Sequence, residues 1–147
     1  MEKIVVGIDG SEASKNALRW AVEDARVRGA EVIALHAYEE PMPALDAGPA
    51  TPLDLPGLVT EFYEGALKFV TDVVNEVVGN AVTVDVVPIA VEEGPAKSLL
   101  DAARDADLLV VGSHGHGVSG VLLGSVSLEC AQHAACPVLI YRGSAPQ

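Results

Sequence analysis

Leu108-Leu109-Val110-Val111-Gly112-Ser113-His114-Gly115-His116-Gly117-Val118-Ser119-Gly120-Val121-Leu122-Leu123-Gly124-Ser125-Val126-Ser127 is the stretch on which the fold turns. It opens on four apolar residues, crosses a glycine-rich segment and leads into a run with helical character. Strand, loop and helix in that order form the building unit of an α/β protein. Five glycines lie between 112 and 127, and no Asp, Glu, Lys or Arg stands between Asp107 and Glu129. In a chain of formal net charge −12, such a gap marks a place where an anion is not repelled. Glycine lets backbone N–H groups come close to a ligand, and a Gly-Ser step at a helix N-terminus presents unpaired donors to it. The segment reads as a phosphate-binding loop.

Upstream, the same alternation recurs. Ile4-Val5-Val6-Gly7-Ile8 is a buried strand, ended by Asp9-Gly10-Ser11. Ser11 suits an N-cap, Glu12 lies in the first turn, and Ala13, Ala17, Leu18, Ala21, Val22 and Ala25 recur at helical spacing up to a stop at Gly29. Glu31 to Ala37 is the second strand. Five prolines (41, 43, 49, 52 and 56) then mark a long irregular loop over 41–56, able to cover a site or to be an idle insertion. Leu58 to Val78 carries an apolar stripe from Val59, Phe62 and Tyr63 through Val77 and reads as the second helix. Val82, Val84 and Val86 alternate with Thr83 and Asp85, which predicts a half-exposed edge strand. Pro95 to Arg104 is the third helix, Asp107 to Val111 the fourth strand, Ser125 to Ala134 the fourth helix and Pro137 to Tyr141 the fifth strand.

This alternation predicts one domain over 1–147, an open, mostly parallel five-stranded sheet with helices on both faces. Ligands of such sheets bind beyond the carboxyl ends of the strands, where the winding reverses. A strand order of 3-2-1-4-5 places that reversal between the first and fourth strands. Asp9 and the glycine loop then face one crevice, flanked by Ala37 and Tyr38.

Composition narrows the function. Half of the residues are apolar and only 4% aromatic, so the core is built from Val, Leu, Ile and Ala. Cys130 and Cys136 make no disulfide framework and suit a reducing, cytoplasmic setting. The N-terminus enters a strand at once, unlike a signal peptide, and no apolar run is long enough for a membrane span. Strong acidity speaks against nucleic acid and anionic membranes as partners.

The remaining motifs weigh against most alternatives. Gly115-His116-Gly117-Val118-Ser119-Gly120 fits the dinucleotide fingerprint, but it comes late in the chain and lacks the acidic residue about 20 positions on. There is no Gly-Lys-Ser/Thr phosphate loop and no Gly-x-Ser-x-Gly nucleophile elbow. His114 and His116 have no Cys, Asp or Glu nearby in sequence to complete a metal site, and His114 reads as a loop residue beside the ligand. His36 reads as a strand-end side chain making one hydrogen bond. Asp9 both turns the chain and stands where a carboxylate can accept from ribose hydroxyls or assist a cation on phosphates.

The chain resembles a universal stress protein of the ATP-binding class. Ile4 to Ser11, Gly94-Pro95-Ala96, Ala106 to Gly115, Leu122 to Ser127 and Cys136 to Ile140 carry the resemblance along the whole length. It implies that Gly112, Gly115, Gly124, Ser125 and Val126 contact ribose and phosphates, largely through backbone. It also implies that Asp9, with Gly10, lies beside the nucleoside or its Mg2+, and that the backbone of Ala37 reads the adenine edge. Ser127 and His114 complete the expected nucleotide-binding set. The expected ligand is ATP, with AMP and ADP as alternatives, and the expected partner is a second copy paired through 137–141. The family spacer between the second and third motif glycines is usually nine residues, whereas His116 to Leu123 is eight.

Three functions follow as alternatives. The first is an ATP-binding stress-response regulator, at most a weak ATPase because no general base accompanies the glycine loop. The second is a dimeric interaction module that binds no nucleotide. The third, an enzyme of the wider adenine-nucleotide superfamily, lacks any acid–base pair, activated nucleophile or pyrophosphate-cleaving signature.

Overall fold

The computed structural model describes residues 2–39, 55–79, 83–113 and 123–142. Its elements alternate along the chain. They are β1 (Lys3–Gly7), α1 (Glu12–Arg28), β2 (Glu31–Tyr38), α2 (Leu55–Val78), β3 (Val86–Glu92), α3 (Pro95–Ala103), β4 (Leu108–Gly112), α4 (Ser125–His133) and β5 (Val138–Tyr141). All strand pairings are parallel, and the sheet order is β3-β2-β1-β4-β5, as the sequence predicts.

The period of two along each strand sorts side chains onto two faces. Ile4, Val6 and Ile8 of β1 and its exit, with Val110 of β4, pack against Ala17, Leu18 and Ala21 of α1 and Val70, Val73 and Val74 of α2. Val5, Leu109 and Val111 turn the other way, onto Leu99 and Ala103 of α3 and Cys130 of α4. The central strands β1 and β4 are therefore apolar on both sides, which is why they read as unbroken hydrophobic runs. Each fully buried Leu, Ile or Val here contributes about 1.5–3 kcal/mol of hydrophobic free energy.

Local signals set the helix ends. Ser11 caps α1 by accepting from the Ser14 N–H, and Gly29 ends it in the left-handed region at φ 72°. The structure corrects the sequence reading in three places. The third strand runs over Val86–Glu92 rather than 82–86. Val84 and Val86 are apolar because both pack against the α1/α2 core, not because both lie in one strand. Pro88 pairs opposite Ala34, which an edge strand tolerates because the missing N–H faces away from the ladder. The second helix begins at Leu55, so Pro56, read as loop, stands in its first turn, where proline fits. The stripe read on that helix is buried only in part: Ala66, Val70, Val73 and Val74 are covered, whereas Val59, Phe62 and Tyr63 are exposed. The rest of the proline-rich loop, 41–54, lies outside the described residues.

Candidate functional site

The crevice forms where the chain leaves the carboxyl ends of β1 and β4, the point at which the winding direction reverses. Its enclosed part is about 250 Å³, and its lining includes Ile8, Asp9, Ala37, Gly112 and the first residues of α4, from Gly124 to Ser127. One wall is apolar, made by Leu35, Leu99 and Val111. The lining also includes helix starts.

Three helices begin at this crevice: α1 through Ser11, α3 through Pro95 and α4 through Ser125. Their positive dipole ends meet in a chain whose overall charge is −12. The three starts are not equivalent. At α1, the Ser11 hydroxyl already takes the Ser14 N–H. At α3, the first helical residue is Pro95, which has no N–H to offer. At α4, Gly124 supplies no side-chain cap, so the N–H groups of Ser125, Val126 and Ser127 face the crevice end of the helix without an intrahelical acceptor. That start is the one suited to an anion.

The turn after β1 is tightly made. Asp9 Oδ1 accepts from the Ser11 N–H at 2.8 Å and from the Ser11 hydroxyl at 2.5 Å. The Ser14 hydroxyl donates to the Ser11 carbonyl at 2.9 Å. Gly10 sits at φ 86°, where a side chain would be strained. Asp9 thus builds the turn and also lines the crevice. Among the described residues it is the single acidic residue in that lining. Among the described residues no group of three His, Cys, Asp or Glu side chains is placed to hold a metal ion.

Gly112 has a structural reason of its own. A Cβ there would come within 2.9 Å of the Ala13 Cβ and 3.0 Å of the Ala13 carbonyl carbon, so it lets β4 pass directly under the first turn of α1. The Ser113 carbonyl then ties the two ends of the glycine segment together, accepting from the Gly124 N–H at 2.8 Å and from the Ser127 hydroxyl at 2.9 Å. The Ser127 hydroxyl also reaches the Gly124 carbonyl at 3.0 Å, so one side chain contacts both flanks of the segment. Whatever its interior does, a spacer one residue short still brings residues 113 and 124 together. His114, Gly115 and the rest of 114–122 lie outside the described residues.

The structure therefore brings together Asp9, Ala37, Gly112, Gly124, Ser125, Val126 and Ser127 from the expected set; Gly10 belongs to the turn behind Asp9. Tyr38 ends β2 opposite Glu92 and is not part of the lining. Ser14, Leu35, Pro95, Leu99 and Val111 are additional lining residues that motif reading passes over. Leu35 and Val111 look like ordinary core in sequence, because only the sheet order puts them beside the crevice.

Residues 1–142 match the universal stress protein family. A universal stress protein of Mycobacterium bovis is 34% identical over 145 residues, covering 96% of this chain and 45% of that protein. The chain thus spans about half the length of most of the curated relatives it matches, such as this one. A universal stress protein of Thermus aquaticus is 34% identical over 146 residues, covering 95% of this chain and 97% of that one. Among solved structures, a universal stress protein in complex with cAMP superposes with a TM-score of 0.61 at 28% identity, covering 97% of this chain and 98% of the other.

Proposed function

The chain belongs to the universal stress protein family, and from that membership and the shape of its crevice we propose that it binds an adenine nucleotide, ATP with Mg2+ in the first place, as a stress-response regulator. The observation that carries this reading is the uncapped start of α4 beside an apolar wall, in a crevice at the winding reversal. A nucleotide offers the matching chemistry: a flat apolar base at one end and phosphate charge at the other. The relative bound to cAMP supports the same class of ligand.

In this reading the base lies against Leu35, Leu99 and Val111, with the Ala37 backbone at its edge. Ribose lies near Gly112 and Asp9. Phosphates take the N–H groups of Ser125, Val126 and Ser127; Gly115 and His114, expected in the same set, lie outside the described residues. The nucleotide brings its Mg2+, and Asp9 is the carboxylate proposed to lie beside it. Among the described residues the lining holds no second carboxylate and no histidine to act as a general base, and the activity proposed is at most a weak ATPase. The proposed assembly is a homodimer through β5. All four of its residues, Val138, Leu139, Ile140 and Tyr141, are apolar in character and half-buried along a sheet edge.

Mass spectrometry of small molecules released by denaturing the purified protein tests the reading, followed by calorimetric titration with ATP. The expected result is a stoichiometric adenine nucleotide, or binding of added ATP near one per chain. No release and no heat, under several purification conditions, would move the assignment to a dimeric interaction module without nucleotide.

A further inference from the structure

Resting on the nucleotide reading above, we propose that His36 is a positioning residue for the crevice: its imidazole anchors the Ile8 carbonyl and so fixes the turn that presents Asp9. The β1–β2 ladder ends at Gly7 opposite Leu35, with the Ile8 N–H still donating to the Leu35 carbonyl at 2.8 Å. From there β2 runs on to Tyr38 beside β3, whereas β1 leaves the sheet. The Ile8 carbonyl then faces His36 Nδ1 at 2.8 Å, and against a carbonyl that nitrogen can only donate. Both polar groups of the Ile8 backbone are thereby held by β2, one by its main chain and one by a side chain.

The imidazole is itself held. Its ring lies 4.7 Å from the ring of Phe69 on α2, tilted by 47°. Ile8 is buried and lines the crevice. The turn beyond it is tied internally, through the bonds from Ser11 to Asp9 Oδ1, and to α1, through the Asp9 N–H to the Ser14 hydroxyl at 3.4 Å. Ile8 adds the tie from the near end of the turn to β2. Without the His36 bond that end of the turn loosens, and the Asp9 carboxylate next to it is less firmly placed in the crevice.

The test compares wild type with His36→Asn, whose amide nitrogen stands near the position of Nδ1, and with His36→Leu, which removes the donor but keeps bulk against Phe69. Val74→Ala, in the buried face of α2, controls for lost stability. Two readouts are taken: ATP affinity by calorimetry, and amide hydrogen exchange of Gly10 and Ser11 relative to core amides in the nucleotide-free protein. His36→Leu should weaken ATP about fivefold to tenfold, the loss one hydrogen bond carries, and speed exchange at Gly10 and Ser11. His36→Asn should stay within about twofold of wild type in affinity, and Val74→Ala should change neither readout while lowering the unfolding midpoint. Wild-type behaviour of His36→Leu, or an Asn variant as impaired as Leu, overturns the proposal. If His36→Leu does not fold, His36→Ser, too short to reach Ile8, is read by the same criteria. If wild type binds no ATP, the functional reading fails by itself, and the exchange comparison alone decides the role of His36.

Discussion

Gly112 is the residue whose meaning changes most between sequence and structure. In the sequence it belongs to the glycine loop; in the fold it is also the point where β4 passes closest to α1. An added methyl group meets backbone as well as side chain, so neither rotamer change nor a single compensating substitution relieves it. Gly112→Ala should cost about 1–3 kcal/mol, read from urea unfolding, and a variant as stable as wild type would show that α1 can shift freely. Cys130 is the second case. Burial, helped by the charge of Glu129, pushes its thiol up to about 11. In an unfolded chain a thiol titrates near ~8.5, so above that pH the unfolded chain loses a proton that the native state retains. The contribution to stability is complete below ~8.5 and is lost as pH rises towards 11. Urea melts at pH 8 and pH 10 should show this decline in wild type, and a smaller one in Cys130→Ala.

At the scale of elements, α4 and β5 carry the testable consequences. The helix is only nine residues long, and its start has no side-chain cap. The missing cap is a cost to the free protein, since a cap is worth about 1 kcal/mol. Gly124→Val places a β-branched side chain at that start and should weaken ATP by at least ~10-fold, with the circular dichroism spectrum retained. Unchanged affinity would place the phosphates elsewhere. The strand β5 is a short apolar edge with no charge along its four residues. Val138→Lys, a charge on the edge, should raise the monomer fraction in sedimentation, and a wild-type protein that is already monomeric at tens of micromolar would remove the interface. Helix α2 illustrates the limit of periodicity: its stripe of apolar residues is continuous in sequence, yet Phe62 and Tyr63 are exposed whereas Ala66, Val70, Val73 and Val74 further along are covered.

For the whole molecule, the crevice is a joint between halves. Its lining comes from the exits of β1 and β4, the end of β2 and the starts of α1, α3 and α4, which are far apart in the chain. A ligand there cross-links both layers, so it should stabilise the molecule as a unit. ATP at a hundredfold over its dissociation constant should add about 2.7 kcal/mol. For a chain of 147 residues that corresponds to a rise in the unfolding midpoint of roughly 5–10 °C. A flat midpoint across ATP concentrations would mean that nucleotide does not engage the folded state. Among the described residues no helix is long and apolar enough to cross a membrane, in keeping with a core spent on the two faces of one sheet.

The sequence by itself determined the alternation of elements, the cap at Ser11, the stop at Gly29 and the place of the glycine segment, because each of these is written in a local period or a single backbone requirement; the sheet order, expected from the fold class, is shown by the structure. The third strand escaped it: Val84 owes its apolar character to packing against α1 and α2, and Pro88 is allowed only because β3 is an edge. The crevice was legible as a loop followed by a helix start, and Asp9 and Gly124 could be named from it. Only the tertiary structure decided the rest. That Leu35, Leu99 and Val111 form one wall, that Ser127 ties the loop to Ser113, and that His36 reaches Ile8 across 28 positions are consequences of which strands lie side by side. Such contacts carry no local signature, since a side chain is chosen for the neighbour it meets in space and not for the residues beside it in the chain.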